Sequence, residues 1–162
     1  TFGNHADTGL AYIEVGRTEL LALFPQEWEI PGDGEIDLQD LRALPYISGF
    51  DHTAMALECR RLFTEAGVEP RVVARSHTHH VAGRLVQRKI GYTILDAVTV
   101  HALLNDRRAS SLKVRHLRGR PTMPVSAIFP GQRSLSNPAK LFVDCFQVAY
   151  ENLQAVLQAE LS

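Results

Sequence analysis

Hydrophobic positions along the chain alternate between strand-like runs and helical spacing, with a turn residue at almost every change. "GLAYIEV" (9–15) and "ELLALF" (19–24) are short apolar runs with strand content, the second bounded by Pro25, a residue a central strand does not tolerate. "PGDGEIDLQDLRALP" (31–45) predicts a turn and one short helical turn, and "YIS" (46–48) a brief strand ended by Gly49. In "DHTAMALECRRLFTEAG" the residues Met55, Cys59, Leu62, Phe63 and Ala66 recur at helical spacing; Asp51 or Thr53 is placed to cap this helix and Gly67 to end it.

The pattern then repeats: strand "RVVA" (71–74), helix from about 79 to 88, strand "YTIL" (92–95), helix 97–104. "LKVRHL" (112–117) alternates as a strand does, with His116 among its polar positions, and "PVSAIF" (124–129) is one more strand. A long helix follows, with Phe142, Phe146, Ala149, Leu153 and Leu157 along one side, Ser136 or Asn137 as its cap and Pro138 in its first turn. Strands alternating with helices predict an α/β fold with a largely parallel sheet.

Composition narrows this only a little. The 162 residues are 45% hydrophobic and 22% charged with a net charge of −1, ordinary for a globular protein and biased towards neither nucleic acid nor acidic membranes. No apolar run approaches the ~20 residues of a membrane span. Cys59 and Cys145 each fall on an apolar helical stripe, which predicts two free, buried thiols and a reducing cytoplasmic setting. The chain opens on Thr1 rather than Met, so it is expected to be a fragment or a processed product.

"ARSHTHH" (74–80) is the densest cluster of candidate chemistry. It occupies the turn from a strand's carboxyl end to a helix start, the place where open α/β sheets bind ligands and where free N–H groups favour anions. Ser76 or Thr78 can cap the helix while the other hydroxyl faces a ligand, and His77 and His79 can add donors. "SGFDHT" (48–53) has the same topological position, so Ser48, Gly49, Phe50 and His52 would line the same sheet edge as Ser76, His77 and Thr78. The plain alternative is two capped helix starts and nothing more. A metal site is disfavoured, since His79 and His80 would project about 100° apart on a helix and no carboxylate or cysteine lies close in sequence. "RRASSLKVRHLRGR" (107–120) is basic but lacks the aromatic residues or recognition helix of a nucleic-acid surface, and reads as a solvated edge-strand face. No nucleophile elbow, phosphate loop or H-E-x-x-H motif is present, so neither catalysis nor a cofactor is expected.

The segment "ADTGLAYIEVGRTELLALFPQEWEIPGDGEIDLQDLRALPYISG" resembles the middle of the effector-binding domain of LysR-type transcriptional regulators. "FTEAGVEPRVVARSHTHHVAGRLVQRKIGYTIL" and "PTMPVSAIFPGQRSLSNPAKLFVDCF" are similar to later stretches of that family in the same order. Lys89 and Asp96 depart from it, standing where the family often has glycine and usually has proline.

The resemblance implies a periplasmic-binding-protein-like (type II) regulatory domain of two lobes. Residues 1–24 plus 124–162 would form an incomplete first lobe and 25–123 the second, with "ELLALF" and "VSAIF" (125–129) as crossing strands. It further implies a small anionic organic effector held between the lobes by Ser48, Gly49, Phe50, His52, Ser76, His77 and Thr78, and no metal. DNA would be contacted only through a helix-turn-helix domain outside this chain, in a cytoplasmic homodimer or tetramer with no membrane partner. The family's first two strand–helix units have no counterpart before Thr1. The alternatives are a solute-binding protein of a transport system or a histidine-based metal-binding protein.

Overall fold

A computed structural model describes residues 9–30, 32, 34–105, 111–131 and 134–160. By contacts the chain divides into two units, Thr1–Thr18 with Thr122–Ser162, and Glu19–Pro121.

The first unit holds the opening half of β1 (Leu10–Pro25), β6 (Thr122–Pro130), which pairs with it, and α5 (Asn137–Glu160). Ser136 caps α5 by accepting from the Ala139 N–H at 3.4 Å. The helix buries Val143, Tyr150 and Leu157, a seven-residue spacing that places them on one face. This differs from the stripe the sequence predicts: Phe142 is 68% exposed and Phe146 is exposed too, leaving Leu157 as the one shared position that is buried. The reason is the fit at Gly16, where an added Cβ would lie 2.5 Å from the Tyr150 ring. That close approach sets the rotation of α5, and it also turns Cys145 outward. The expectation of two buried thiols therefore holds for Cys59 and not for Cys145; both are free.

Gly16, Arg17 and Thr18 do not interrupt β1, so the two short runs predicted at 9–15 and 19–24 are one strand ending at Pro25. Its second half, in the other unit, is the most buried stretch of the chain, with Leu20 to Phe24 fully enclosed. It lies between β4 (Thr93–Asp96) and β5 (Leu112–His116), antiparallel to both. β2 (Pro45–Gly49) and β3 (Arg71–Ser76) pair in parallel. A parallel bridge between Tyr46 and Tyr92 brings β2 alongside β4, with Ile47 N–H donating to the Tyr92 carbonyl at 2.8 Å.

Thus β2, β3, β4 and β5 all run the same way and β1 alone opposes them. Parallel neighbours require a crossover, and the helices α2 (Ala54–Glu65), α3 (His79–Gln87) and α4 (Ala97–Leu104) supply three. Among the described residues between β1 and β2 the one helix is α1 (Leu38–Leu41), a single turn capped by Asp37. The aromatic core stacks Phe24 on Tyr92 at 5.5 Å, with Tyr46 against Tyr92 and Phe63 at 5.1 and 5.2 Å.

The basic stretch is less freely solvated than its alternation suggests. Lys113 donates to the Trp28 carbonyl and Arg115 to that of Gly34, while His116 and Glu19 meet at 2.6 Å, both half-buried. Residues 107–110 of that stretch, and Pro31 and Asp33 of the predicted turn, lie outside the described residues.

Candidate ligand site at the carboxyl edge of the parallel strands

Three strand-to-helix turns converge on one edge of the second unit. Each helix start is capped by a side chain that the sequence places in the last residue before it. Thr53 accepts from the Ala56 N–H, Thr78 from the Val81 N–H and Asp96 from the Thr99 N–H. Asp51, the other predicted cap for α2, instead forms ion pairs with Arg60 at 2.6 Å and Arg75 at 2.7 Å. These hold its carboxyl below the usual range, with the Arg75 hydrogen bond the largest cause. Arg75, which flanks the histidine cluster in sequence, is thereby engaged with Asp51.

The turns at 48–53 and 76–78 are in contact. The rings of Phe50 and His77 stack with centroids 3.6 Å apart and planes 7° from parallel, and His52 lies 6.4 Å from Phe50. Behind this wall Ser76 is 7% exposed, and its hydroxyl donates to the Thr78 carbonyl at 2.8 Å while accepting from the Thr78 N–H. Ser48 donates to the Gly49 carbonyl at 2.9 Å. All seven residues named from the sequence thus fall on two adjoining turns, with His52, His77 and Thr78 exposed, Ser48, Gly49 and Phe50 half-buried and Ser76 deepest.

The third turn was not singled out from the sequence as part of a site. Asp96 accepts the Thr99 hydroxyl at 2.6 Å and stands 3.5 Å from His79 Nδ1. Burial works against its ionisation, but the hydrogen bonds from His79 and Thr99 outweigh burial and hold the carboxyl below its usual range. The available signal was the departure at position 96 from the family's proline, combined with an N-cap residue before 97–104. Beneath the three turns is a cavity of about 10 Å³ lined by Ser48, Gly49, Ser76, Thr78, His79 and Thr93 together with Tyr46, Cys59 and apolar side chains. A larger cavity of about 390 Å³ lies beside α2, against Tyr46, Cys59, Phe63 and Val72, with Asp51, Arg60 and Arg75 at its margin. Among the described residues no group of three His, Cys, Asp or Glu could hold a metal ion, and no helix is long and apolar enough to cross a membrane.

The polar groups of this α/β unit gather where its parallel strands end, the place where open α/β sheets hold ligands. The chain matches the LysR substrate binding domain family over residues 1–150 and belongs to it. No curated protein sequence matches it. The CcmR regulatory domain of Synechocystis PCC6803, solved in complex with 2-PG, superposes with a TM-score of 0.74 at 17% identity, over 86% of this chain and 66% of that one. HinK, a LysR family transcriptional regulator from Pseudomonas aeruginosa, gives 0.74 at 20% identity over 91% and 51%. The effector binding domain of QuiR, in complex with shikimate, gives 0.73 at 16% identity over 93% and 68%. At such identities the likeness establishes the fold. The chain spans about two-thirds of the isolated regulatory domains and half of the HinK chain.

Proposed function

We propose that this chain senses a small organic effector for a LysR-type transcription regulator, and that Ser48, Gly49, Phe50, His52, Ser76, His77 and Thr78 contact that effector. The observation that carries the reading is the Phe50–His77 stack, which joins two turns remote in sequence into one wall above buried hydroxyls. Two independent capped helix starts would have no reason to meet in this way. A carboxylate at the rim suits the imidazoles of His52 and His77 and the N–H groups opening α3. Binding would shift the population of the domain's conformations and so alter how a coupled helix-turn-helix domain engages DNA, within a cytoplasmic oligomer.

The test is a thermal-shift screen of the chain against small organic acids, with zinc and a chelator as controls. A ligand at 100 times its dissociation constant adds about 2.7 kcal/mol, or roughly 5–11 °C for a chain of this size. His77→Ala should weaken binding by about 2- to 10-fold, the worth of one aromatic stack. A shift produced by zinc alone and reversed by the chelator would replace the effector reading with a metal site.

A further inference from the structure

The small cavity beneath the three turns carries information about the ligand that its rim does not. Its volume of about 10 Å³ corresponds to one water-sized group and is too small for a carboxylate.

Its polar walls are mostly acceptors. Ser48 donates to the Gly49 carbonyl, Ser76 to the Thr78 carbonyl and Thr93 to the Ile47 carbonyl, so each of these hydroxyls has given up its one proton and offers lone pairs. His79 adds another acceptor. Its Nδ1 faces Asp96 Oδ2 and Thr99 Oγ1, both at 3.5 Å, and the Thr99 proton is already committed to Asp96 at 2.6 Å. Both neighbours therefore accept, which assigns the proton of a neutral ring to Nδ1 and leaves Nε2 bare. Thr78 Oγ1 accepts from the Val81 N–H and keeps a proton to give, while the Tyr46 hydroxyl and Cys59 thiol, which line the same wall, are hydrogen-bonded to each other. Among the described residues none that lines the cavity is Asp, Glu, Lys or Arg.

Resting on the reading that this edge is the effector site, we propose that the effector carries a hydroxyl which enters this cavity, donating to Ser48, Ser76 or His79 and accepting from Thr78. An ammonium group fits less well, because it cannot accept from Thr78 and would be buried with no carboxylate lining the cavity. With a carboxylate at the histidine rim, the ligand class is a hydroxy acid.

The experiment is isothermal titration calorimetry of the 162-residue chain with matched pairs: glycolate and acetate, lactate and propionate, mandelate and phenylacetate. At least one hydroxylated member is expected to bind about tenfold or more tightly than its deoxy partner, because a site built around a hydroxyl leaves its polar groups unpaired without one. Ser76→Ala should bring the pair to within about twofold. Ser48→Ala, at a less buried position, gives the same readout if Ser76→Ala fails to fold. Equal binding within every pair, a preference that survives both substitutions, or no binding by any member overturns the inference. Amide exchange on any complex separates the two readings: protection at 48–53 and 76–80 without hydroxyl preference defeats the inference alone, whereas protection elsewhere defeats the proposed function with it.

Discussion

At the scale of single residues, the same side-chain chemistry is put to opposite use by burial. Cys59 lies inside the α2 face against Tyr46, where burial pushes its thiol up to about 12. Cys145 stands exposed on α5. A disulfide-exchange reagent at pH 8 should therefore titrate one thiol rapidly in the native chain and the second only on unfolding, since the thiolate is the reacting species. Two fast equivalents would contradict the core placed around Cys59. Asp96 makes the converse case for a carboxyl. Its folded value is depressed, so its contribution to stability is present above the unfolded value of about 3.9 and is lost as the pH falls through the folded one. Asn caps a helix about as well as Asp, so Asp96→Asn isolates the charge. The stability gap between wild type and Asp96→Asn, read from urea midpoints, should be open at pH 7 and close below about pH 4. A gap that does not change with pH would remove the His79–Asp96 contact from the argument. The capping residues Thr53 and Thr78 were legible from sequence, because a cap depends on its own helix start. The roles of Asp51 and Asp96 were not, because their partners Arg75 and His79 come from other turns.

At the scale of elements, what could be read depended on whether the pattern had one solution. α2 and α3 have narrow apolar stripes, and their expected spans lie within a few residues of the observed ones. α5 carries Leu141, Phe142, Val143, Phe146, Val148, Tyr150, Val156 and Leu157 around much of its circumference, so periodicity admits several faces. Contact with Gly16 selects among them, and no pattern within the helix encodes that contact. The selection has a measurable consequence. Leu157→Ala should cost about 2–5 kcal/mol and Phe142→Ala within about 0.5 kcal/mol by urea unfolding. The reverse order would restore the stripe predicted from spacing. Close approach also governs β2 and β4. A Cβ on Gly91 would lie 2.5 Å from the Pro45 carbonyl oxygen, a backbone atom that accepts from Tyr92 N–H at 2.9 Å. Gly91→Ala must therefore separate the two strands that carry the central bridge.

For the whole molecule, the two units differ in how their backbone is protected. In the unit from Glu19 to Pro121, Leu20 to Phe24 are fully buried between two antiparallel partners, and Ile47, Val86, Tyr92 and Val100 close around them. In the other unit α5 buries three side chains over 24 residues. Opening free energy follows buried apolar contact, so native-state hydrogen exchange should find its slowest amides at Leu20–Phe24 and Ile94, with α5 exchanging much sooner. The turns at 48–53 and 76–80 adjoin this protected region but are half-exposed to exposed apart from Ser76. Their amides should exchange early in the free chain and slow when an effector is added, while those of β1 hardly change because they are already limited by global unfolding. Such an outcome would place ligand binding on adjustable turns carried by a rigid sheet, the division of labour expected where loops do the recognising. Uniform slowing across both units would mean instead that the ligand only raises global stability, and the assignment of the site to these turns would lose its support.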